Sequence, residues 1–137
     1  MKLTVGEIYN KRNSIKRFIT IAGLPAEEGW NVADFYDELE KILMNYAKST
    51  EMLIKNIGKK DPKKTDVYYI DEKEDPEKMK KYKEEDAKLR AKEFEFDFEP
   101  IPVKQITFTQ PITPIDLKNL EGIFIKREKK QNVNQKI

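Results

Sequence analysis

One apolar stripe in the middle of the chain constrains its fold more than any other feature. Between residues 27 and 57, apolar side chains recur every three or four positions, and polar Ser49 interrupts the series. The members are Val32, Phe35, Leu39, Ile42, Tyr46, Leu53 and Ile57. This spacing is typical of one face of an α-helix, which would be about 45 Å long and would end at Gly58. The stripe therefore predicts one long helix with a face that needs cover.

A shorter helix is predicted before the long one. Thr4 and Glu7 have the spacing of a capping box, and apolar positions then recur at helical intervals, which indicates a helix over residues 5–21. Gly23 is expected to stop this helix with a positive φ angle, and Pro25 fixes the chain where the long helix starts. We therefore expect the two helices to fold back on each other.

A third helix is expected to form a hairpin with the distal half of the long helix. Asp75 and Pro76 are typical of an N-cap and a first helical position, and the helix would run over residues 76–92. Its few apolar residues can be covered on one narrow side only. The distal half of the long helix needs cover from this third helix or from a second subunit, and the sequence favours neither.

A run of alternating residues is the clearest β-strand signal. Acidic residues alternate with phenylalanines over residues 93–99, so the phenylalanines share one face, which must be buried, and the acids share the other. Pro100 and Pro102 end this strand or confine it to a sheet edge. Further strands, rich in β-branched and aromatic residues, are predicted over 67–70, 103–109 and 123–125.

These elements predict a helix-dominated α+β fold, with a long antiparallel helical hairpin and a small antiparallel β segment in the C-terminal half. The chain of 137 residues has the usual size of one domain, which we expect over residues 1–125. A short helix, capped by Thr113 and stopped by Gly122, would precede the last strand. Residues 126–137 are predicted to form a basic tail.

The missing residue types exclude several classes of function. The chain has no cysteine and no histidine, which excludes disulfides, thiolate nucleophiles, the usual zinc sites and the side chain most used for proton transfer near neutral pH. The sequence shows neither a signal-peptide core nor an apolar run long enough to span a membrane. We therefore expect a cytoplasmic, non-enzymatic protein without a cofactor or a membrane partner.

Binding to a partner is the expected function, because the long helix and the alternating strand both carry apolar faces that need cover. We expect a homo-oligomer in which charged rims set the register. Trp30 has two interpretations, of which packing in the core at the base of the hairpin is favoured over a direct contact with a partner. The candidate interface residues are Trp30, Phe35, Leu39, Tyr46, Leu53, Phe94, Phe96 and Phe98.

Basic segments support a rival hypothesis. The net charge of +2 is too balanced for a chain that binds nucleic acid over its whole surface, but lysines cluster after the long helix and in the tail. Solvated loops, or attraction to acidic segments of another copy, are the simpler interpretations. The alternative is weak binding to nucleic acid or a small nucleotide, with Tyr68, Tyr69 or Phe124 stacked on bases. The candidate phosphate contacts are Lys59, Lys60, Lys63, Lys64, Lys126, Arg127, Lys129 and Lys130.

Two groups of residues offer bond-making chemistry. The acids Glu93, Glu95, Asp97 and Glu99 form the carboxylate cluster that a metal-dependent hydrolase would need. Alternate residues on a strand lie about 7 Å apart, which is too far for neighbours to share one magnesium ion, so an exposed strand face is favoured. Ser14 and Ser49 would need a lysine or a carboxylate as a base, and no nucleophile-elbow glycine pattern surrounds either.

The order of these features resembles a family of small tailed-phage and prophage proteins of unknown function. The resemblance covers residues 2–125 and rests on four segments and the charged hairpin: KLTVGEIY at 2–9, the Leu-Pro-Ala linker at 24–26, EFEFDFEPIP at 93–102 and ITPIDLKNLEG at 112–122. Trp30 and the basic tail have no counterpart in the family. The resemblance implies no catalytic residue.

A viral origin would imply one of two roles. The protein is either a virion assembly or accessory component, or a counter-defence protein that binds a host immune effector or a nucleotide signal. Its partners would be other copies of itself and a host or phage protein. It would lie in the cytoplasm of the bacterial host or be associated with the virion.

Overall fold

The computed structural model describes residues 1–127, of which 57% are helical. The helices are α1 (Val5–Asn10), α2 (Arg12–Ile21), α3 (Ala26–Ile57), α4 (Pro76–Arg90) and α5 (Pro114–Leu120). The strands are β1 (Lys2–Thr4), β2 (Ala22–Gly23), β3 (Lys59–Lys60), β4 (Tyr68–Tyr69), β5 (Glu93–Glu95), β6 (Ile101–Pro102), β7 (Thr107–Phe108) and β8 (Ile125–Lys126). The prediction of a helix-dominated α+β fold with one long helix is confirmed.

The described chain divides into two compact units, and the single domain over residues 1–125 stays a prediction. The first unit contains Met1, Asn10–Glu38 and the described chain from Phe96 onward. The second contains Lys2–Tyr9 and Leu39–Glu95. The boundary between the units falls within α3, after Glu38, and again after Glu95.

The first unit is built around stacked phenylalanine rings. Phe18 stacks on Phe124 with ring centroids 4.6 Å apart, and Phe35 meets Phe124 edge-to-face at 5.3 Å. Both Phe18 and Phe124 are fully buried. Such ring pairs contribute about 0.5–1.5 kcal/mol each beyond the area that they bury. The rings therefore join α2, α3 and the segment before β8 into one core.

Two small sheets lie in the first unit, and one of them differs from the prediction. β2 pairs with β7 in antiparallel fashion, as expected of the C-terminal β segment. β6 pairs with β8 in parallel, with Ile101 opposite Ile125, although an antiparallel arrangement was predicted. A parallel pair needs a crossover of about a dozen residues or more, and the segment 103–124, which includes α5, supplies it.

The second unit contains the predicted helical hairpin. Tyr46 of α3 donates a hydrogen bond to Asp86 of α4, and Ile57, at the end of α3, lines one cleft with Glu77, at the start of α4, so the helices run antiparallel. β3 and β4 pair within the connection between the helices. β1 pairs with β5, and this strand at the N-terminus was not predicted. Its three residues are too few to show a reliable alternating pattern.

Several predicted boundaries differ from the structure. The helix predicted over residues 5–21 is divided at Lys11, and the third helix ends at Arg90. The strand predicted over residues 93–99 ends at Glu95, because its partner β1 is only three residues long. The stretch 103–109 begins with a 3-10 turn before β7.

The prediction that Gly23 has a positive φ angle is wrong. Gly23 has no positive φ angle, and among the described glycines Gly122 alone does, with φ of 85° at the predicted stop after α5. A Cβ atom on Gly23 would lie 2.8 Å from the carbonyl oxygen of Thr107, the residue opposite it in β7. Glycine is therefore needed here for the close approach of two strands.

None of the helices within residues 1–127 is both long enough and apolar enough to cross a membrane.

We predict that Gly58→Ala destabilises the fold. A Cβ atom at Gly58 would lie 2.5 Å from the carbonyl oxygen of Tyr69 and 2.6 Å from that of Ile54, and both are backbone atoms that cannot move independently. We expect the free energy of unfolding to fall by roughly 1–3 kcal/mol, measured by urea denaturation.

Gly29→Ala is the matched control. No atom lies within 4 Å of a Cβ built at Gly29, which is inside α3. The control should raise the free energy of unfolding by about 0.5–1 kcal/mol, because alanine favours helix over glycine. Equal effects of the two substitutions would contradict the close contact at Gly58.

Candidate functional site

The structure buries most of the predicted interface residues. Phe35, Leu39, Tyr46 and Phe96 are buried, and Leu53, Phe94 and Phe98 are half-buried. The interpretation of Trp30 as part of the core is wrong, because 75% of its side chain is exposed. At about 100° per residue, Trp30 lies about 140° around α3 from Phe35 and so falls outside the apolar stripe.

A groove with an acidic rim and an aromatic floor lies in the first unit. The groove has a volume of about 550 Å³ and lies between the first turns of α3 and the extended segment 96–101. It is lined by Met1, Glu28, Asn31, Asp34, Phe35, Glu38, Phe96, Asp97, Phe98, Glu99 and Ile101. All of these residues belong to one compact unit, so we name this site the acidic groove.

Phenylalanine rings form the floor of the acidic groove. Phe98 stacks on Phe35 with centroids 4.4 Å apart and an interplanar angle of 16°. Phe96 meets Phe35 edge-to-face at 5.2 Å. The alternation of residues 93–99 explains this placement, because it directs Phe96 and Phe98 inward and leaves the acids between them exposed.

Carboxylates form the rim of the acidic groove. Glu28, Asp34 and Glu38 of α3 line one side of the groove, with successive positions six and four residues apart, and all three are exposed. Asp97 and Glu99 lie on the opposite rim and are also exposed. The groove therefore presents five acidic residues around a floor of aromatic rings.

Two positive groups lie near this rim. The ammonium group of Met1 donates a hydrogen bond to the carbonyl oxygen of Phe96 at 3.1 Å. Lys126 lies 3.7 Å from a carboxylate oxygen of Glu99, with more than half of its own side chain exposed. They offset part of the charge of the five acids, so the acidic groove keeps a net negative charge.

The arrangement suits an organic cation better than a metal ion. Within residues 1–127, no three acidic side chains converge closely enough to hold a metal ion. A lysine or arginine side chain needs less convergence, because its stem packs on aromatic surface while its charged end reaches one or two carboxylates. The acidic groove therefore combines the negative charge and the aromatic surface that such a side chain requires.

Sequence reasoning found only half of this site. The alternating sequence predicts Asp97 and Glu99 as part of an exposed acidic row, but it gives no prediction for Glu28, Asp34 and Glu38. Their spacing around Phe35 was the available signal. The pairing of these acids with Asp97 and Glu99 depends on where the segment 96–101 lies, which local sequence does not determine.

In the structure, three of the candidate phosphate contacts form ion pairs with acidic side chains. Lys59 bonds to Glu74 and lies 3.3 Å from Asp75, and the hydrogen bond to Glu74 raises the pKa of Lys59. Lys126 lies beside Glu99, as described above, and Arg127 forms an ion pair with Glu121 at 2.7 Å. These three cations are therefore less available to a phosphate than the sequence suggested.

Three further phosphate candidates lie at the β3–β4 hairpin. Lys60, Lys63 and Lys64 are exposed, and Lys60 is opposite the half-buried Tyr68 in the β3–β4 pair. Tyr69 is exposed. Base stacking by Phe124 is excluded, because this ring is fully buried in the first unit. Lys129 and Lys130 lie outside the described residues.

Ser14 connects two helices of the first unit and does not face solvent. Only 3% of Ser14 is exposed, and its hydroxyl donates a hydrogen bond to Asp116 at 2.7 Å. Asn119 donates to the Ser14 hydroxyl at 3.1 Å, and Arg17 lies 3.3 Å from the other oxygen of Asp116. This cluster ties α2 to α5, so Ser14 is inaccessible to a substrate.

A second polar cluster joins three helices of the second unit. The Tyr46 hydroxyl donates to Asp86 at 2.5 Å, and Arg90 donates to both Tyr46 and Asp86, at 2.9 and 3.0 Å. The guanidinium of Arg90 lies 4.8 Å from the ring centroid of Tyr9 in α1. Burial, together with the hydrogen bond to Asp86, raises the pKa of Tyr46 to about 12. Tyr46 therefore stays neutral near pH 7 and serves packing.

The protein has a helix-dominated α+β fold, and its first unit carries the acidic groove. No family model, curated protein or solved structure matches the chain. The resemblance to small phage proteins therefore stays a prediction.

We predict that Tyr46→Phe lowers stability and weakens its dependence on alkaline pH. Near pH 7 the free energy of unfolding should fall by about 1–2 kcal/mol, because Asp86 and Arg90 lose a hydrogen-bond partner. In the unfolded chain Tyr46 loses its proton near pH 10, but in the folded chain near pH 12. The contribution of Tyr46 is therefore present below pH 10 and lost as the pH rises from 10 to 12.

The measurement is urea denaturation at several pH values between 7 and 12, for the wild type and for Tyr46→Phe. The stability difference between them should shrink as the pH rises above 10. Tyr69→Phe, at an exposed position, controls for the loss of a phenol. A constant difference across this range would contradict the role given to the Tyr46 hydroxyl.

Proposed function

We propose that this chain is a non-enzymatic interaction protein of phage or prophage origin that binds a basic segment of a partner protein in the acidic groove. The juxtaposition of five acidic residues with the stacked rings of Phe35 and Phe98 carries the proposal. The viral origin rests on the sequence resemblance alone. Self-association through charged surfaces belongs to the same proposal.

The charge of the acidic groove determines the partner's chemistry. Phosphate groups would be repelled by Glu28, Glu38 and Glu99, so a nucleotide signal is disfavoured at this site. Lysine or arginine side chains would be attracted, and the aromatic floor adds cation–π and apolar contact of about 0.5–2 kcal/mol. A protein with a basic surface is therefore the better partner.

The preference for a partner with a basic surface applies to both viral roles. A counter-defence protein of this kind would occlude a host immune effector at a basic surface, such as one that binds nucleic acid. A virion assembly or accessory component would instead dock a basic segment of another phage protein. Both roles use the same chemistry at the acidic groove.

The burial of Ser14 and the raised pKa of Tyr46 support a non-enzymatic role. Ser14, the most buried serine candidate, is bonded to Asp116 and covered by protein. Tyr46 keeps its proton well above neutral pH. A nucleophile needs an accessible position and an adjacent base that accepts its proton. These groups serve packing.

We predict that a labelled peptide rich in lysine and arginine, with one aromatic residue, binds the protein in a salt-dependent manner. Fluorescence anisotropy at about 50 mM and about 200 mM salt should show weaker binding at the higher concentration, because the rim carboxylates are exposed and screened. Glu28→Gln with Glu38→Gln should raise the dissociation constant about tenfold, which equals about 1.4 kcal/mol.

Glu84→Gln is the matched control, since Glu84 is an exposed acid of α4 in the second unit. It should leave peptide binding unchanged. Absence of binding at about 50 mM salt, or equal affinity of the groove variant and the wild type, would refute the acidic groove as the site.

The same assay tests association with nucleic acid. Lys60, Lys63 and Lys64 share one hairpin with Tyr68 and Tyr69, which is the arrangement that this alternative requires. Binding of labelled DNA or RNA at low salt, abolished by Lys63→Glu with Lys64→Glu, would favour the alternative over the acidic groove.

A further inference from the structure

The part of α3 that belongs to the second unit has an exposed face with lysines at a regular interval. The exposed positions lie within an arc of about 80° around the helix axis, at about 100° per residue. Tyr46, whose hydroxyl bonds to α4, lies about 160° from Lys48 and so on the opposite side. We name the exposed set the lysine face: Lys41, Met44, Lys48, Met52 and Lys55. All five residues belong to the second unit, and none lines the acidic groove.

The lysine face has a net positive charge. Its lysines are seven residues apart, so they follow one another at about 10.5 Å along α3. Lys55 forms an ion pair with Glu51 at 3.3 Å, and Glu51 is the one acidic residue between positions 41 and 57. Three lysines against one acid leave two positive charges on this stretch of helix. The face therefore attracts an acidic surface.

Methionines lie between the lysines. Met44 and Met52 are 55% and 67% exposed, although both are large apolar side chains. The flexible, polarisable thioether adapts its shape to a partner, and methionine is common at binding surfaces for this reason. Positive charge and apolar surface therefore alternate along the lysine face.

We propose that the lysine face binds an acidic amphipathic helix of a partner protein, which packs lengthwise against α3. Exposed positions at intervals of three and four residues are the spacing by which two helices pack side by side. A helix with acids at every seventh position would place a carboxylate near each lysine. Apolar side chains between those acids would cover Met44 and Met52. The alternation of charge and apolar surface along α3 thus specifies the partner's pattern.

Charge excludes pairing of the lysine face with the same face of a second copy. A two-fold symmetric dimer uses the same surface of both copies. Two α3 helices centred on Lys48 would place lysines against lysines whether they run parallel or antiparallel, which is repulsive. The lysine face therefore requires a different, acidic surface.

The methionines favour a protein helix over other polyanions. A nucleic acid would be attracted by the lysines, but none of the five residues is aromatic and could stack on a base. A helix that lies in a membrane interface carries large apolar residues such as Trp, Phe or Leu on its buried side. Two methionines offer less than that. An acidic helix supplies both the carboxylates and the apolar side chains that this face can contact.

Fluorescence anisotropy with a synthetic peptide tests the proposal. The probe is a labelled helix of about three heptads, with glutamate at every seventh position, leucine beside it at helical spacing and alanine elsewhere. A peptide of the same composition in scrambled order is the control for charge alone. At about 50 mM salt, the wild type should bind the patterned helix about tenfold more tightly than the scrambled peptide.

Substitutions assign the binding to the lysine face. Lys48→Glu with Lys55→Glu should raise the dissociation constant of the patterned helix about tenfold, because two attractive contacts become repulsive. Met44→Ser with Met52→Ser should raise it about fivefold, because apolar contact is lost. Both double variants should keep the cooperative urea transition of a folded chain, since all four positions are exposed.

Lys78→Glu with Lys81→Glu is the matched control. Both lysines are exposed on α4 of the same unit, so this variant has the same net charge as Lys48→Glu with Lys55→Glu. It should bind the patterned helix like the wild type. An equal loss of binding in the control variant would overturn the proposal, because the attraction would then depend on net charge and not on the lysine face.

Other occupants of the lysine face would also overturn the proposal. Equal affinity for the patterned and scrambled peptides would do so. So would double-stranded DNA or phosphatidylglycerol vesicles that bind the wild type, in a manner abolished by Lys48→Glu with Lys55→Glu, when the patterned helix does not bind. A dimer in sedimentation velocity that the same variant abolishes would assign the face to a second copy.

The lysine face and the acidic groove are tested independently, because their probes carry opposite charge and their residues lie in different units. Failure of the basic peptide to bind would refute the acidic groove and leave the lysine face unaffected. Failure of the acidic helix to bind would refute the lysine face and leave the groove unaffected. Lys48→Glu with Lys55→Glu should retain the affinity of the wild type for the basic peptide.

Discussion

The stacking of Phe35 on Phe98 is the interaction on which the acidic groove depends. It fixes the extended segment 96–101 against the start of α3, and the same contact brings two separate rows of acids to one groove. Burial of the rings offsets the mutual repulsion of those acids, which remain exposed and so keep most of their hydration. An interaction that stabilises the fold thus also creates the surface that we assign to a partner.

Local patterns in the sequence predicted the elements better than their arrangement. The apolar stripe defined α3 almost to its ends, and Asp75–Pro76 and Thr113 marked the starts of α4 and α5, because capping and periodicity act within a few residues. The pairing of β1 with β5 and the parallel β6–β8 pair were missed, because each joins segments that are distant in sequence and only two or three residues long.

The residues of the candidate site were also only partly predictable from local sequence patterns. Strict alternation predicts the exposure of Asp97 and Glu99, whereas the acids of α3 have the pattern of an ordinary solvated helix face. Trp30 was misplaced because a tryptophan beside an apolar stripe is usually buried, although its angular position on α3 places it outside that stripe.

The exposure of Trp30 has a practical consequence. The chain contains one tryptophan, and three quarters of that side chain is in contact with water. Its fluorescence is therefore an intrinsic optical reporter of contacts at the protein surface and is insensitive to small rearrangements of the aromatic core. A shift of the emission toward the blue on concentrating the protein would register the covering of the indole without any attached dye.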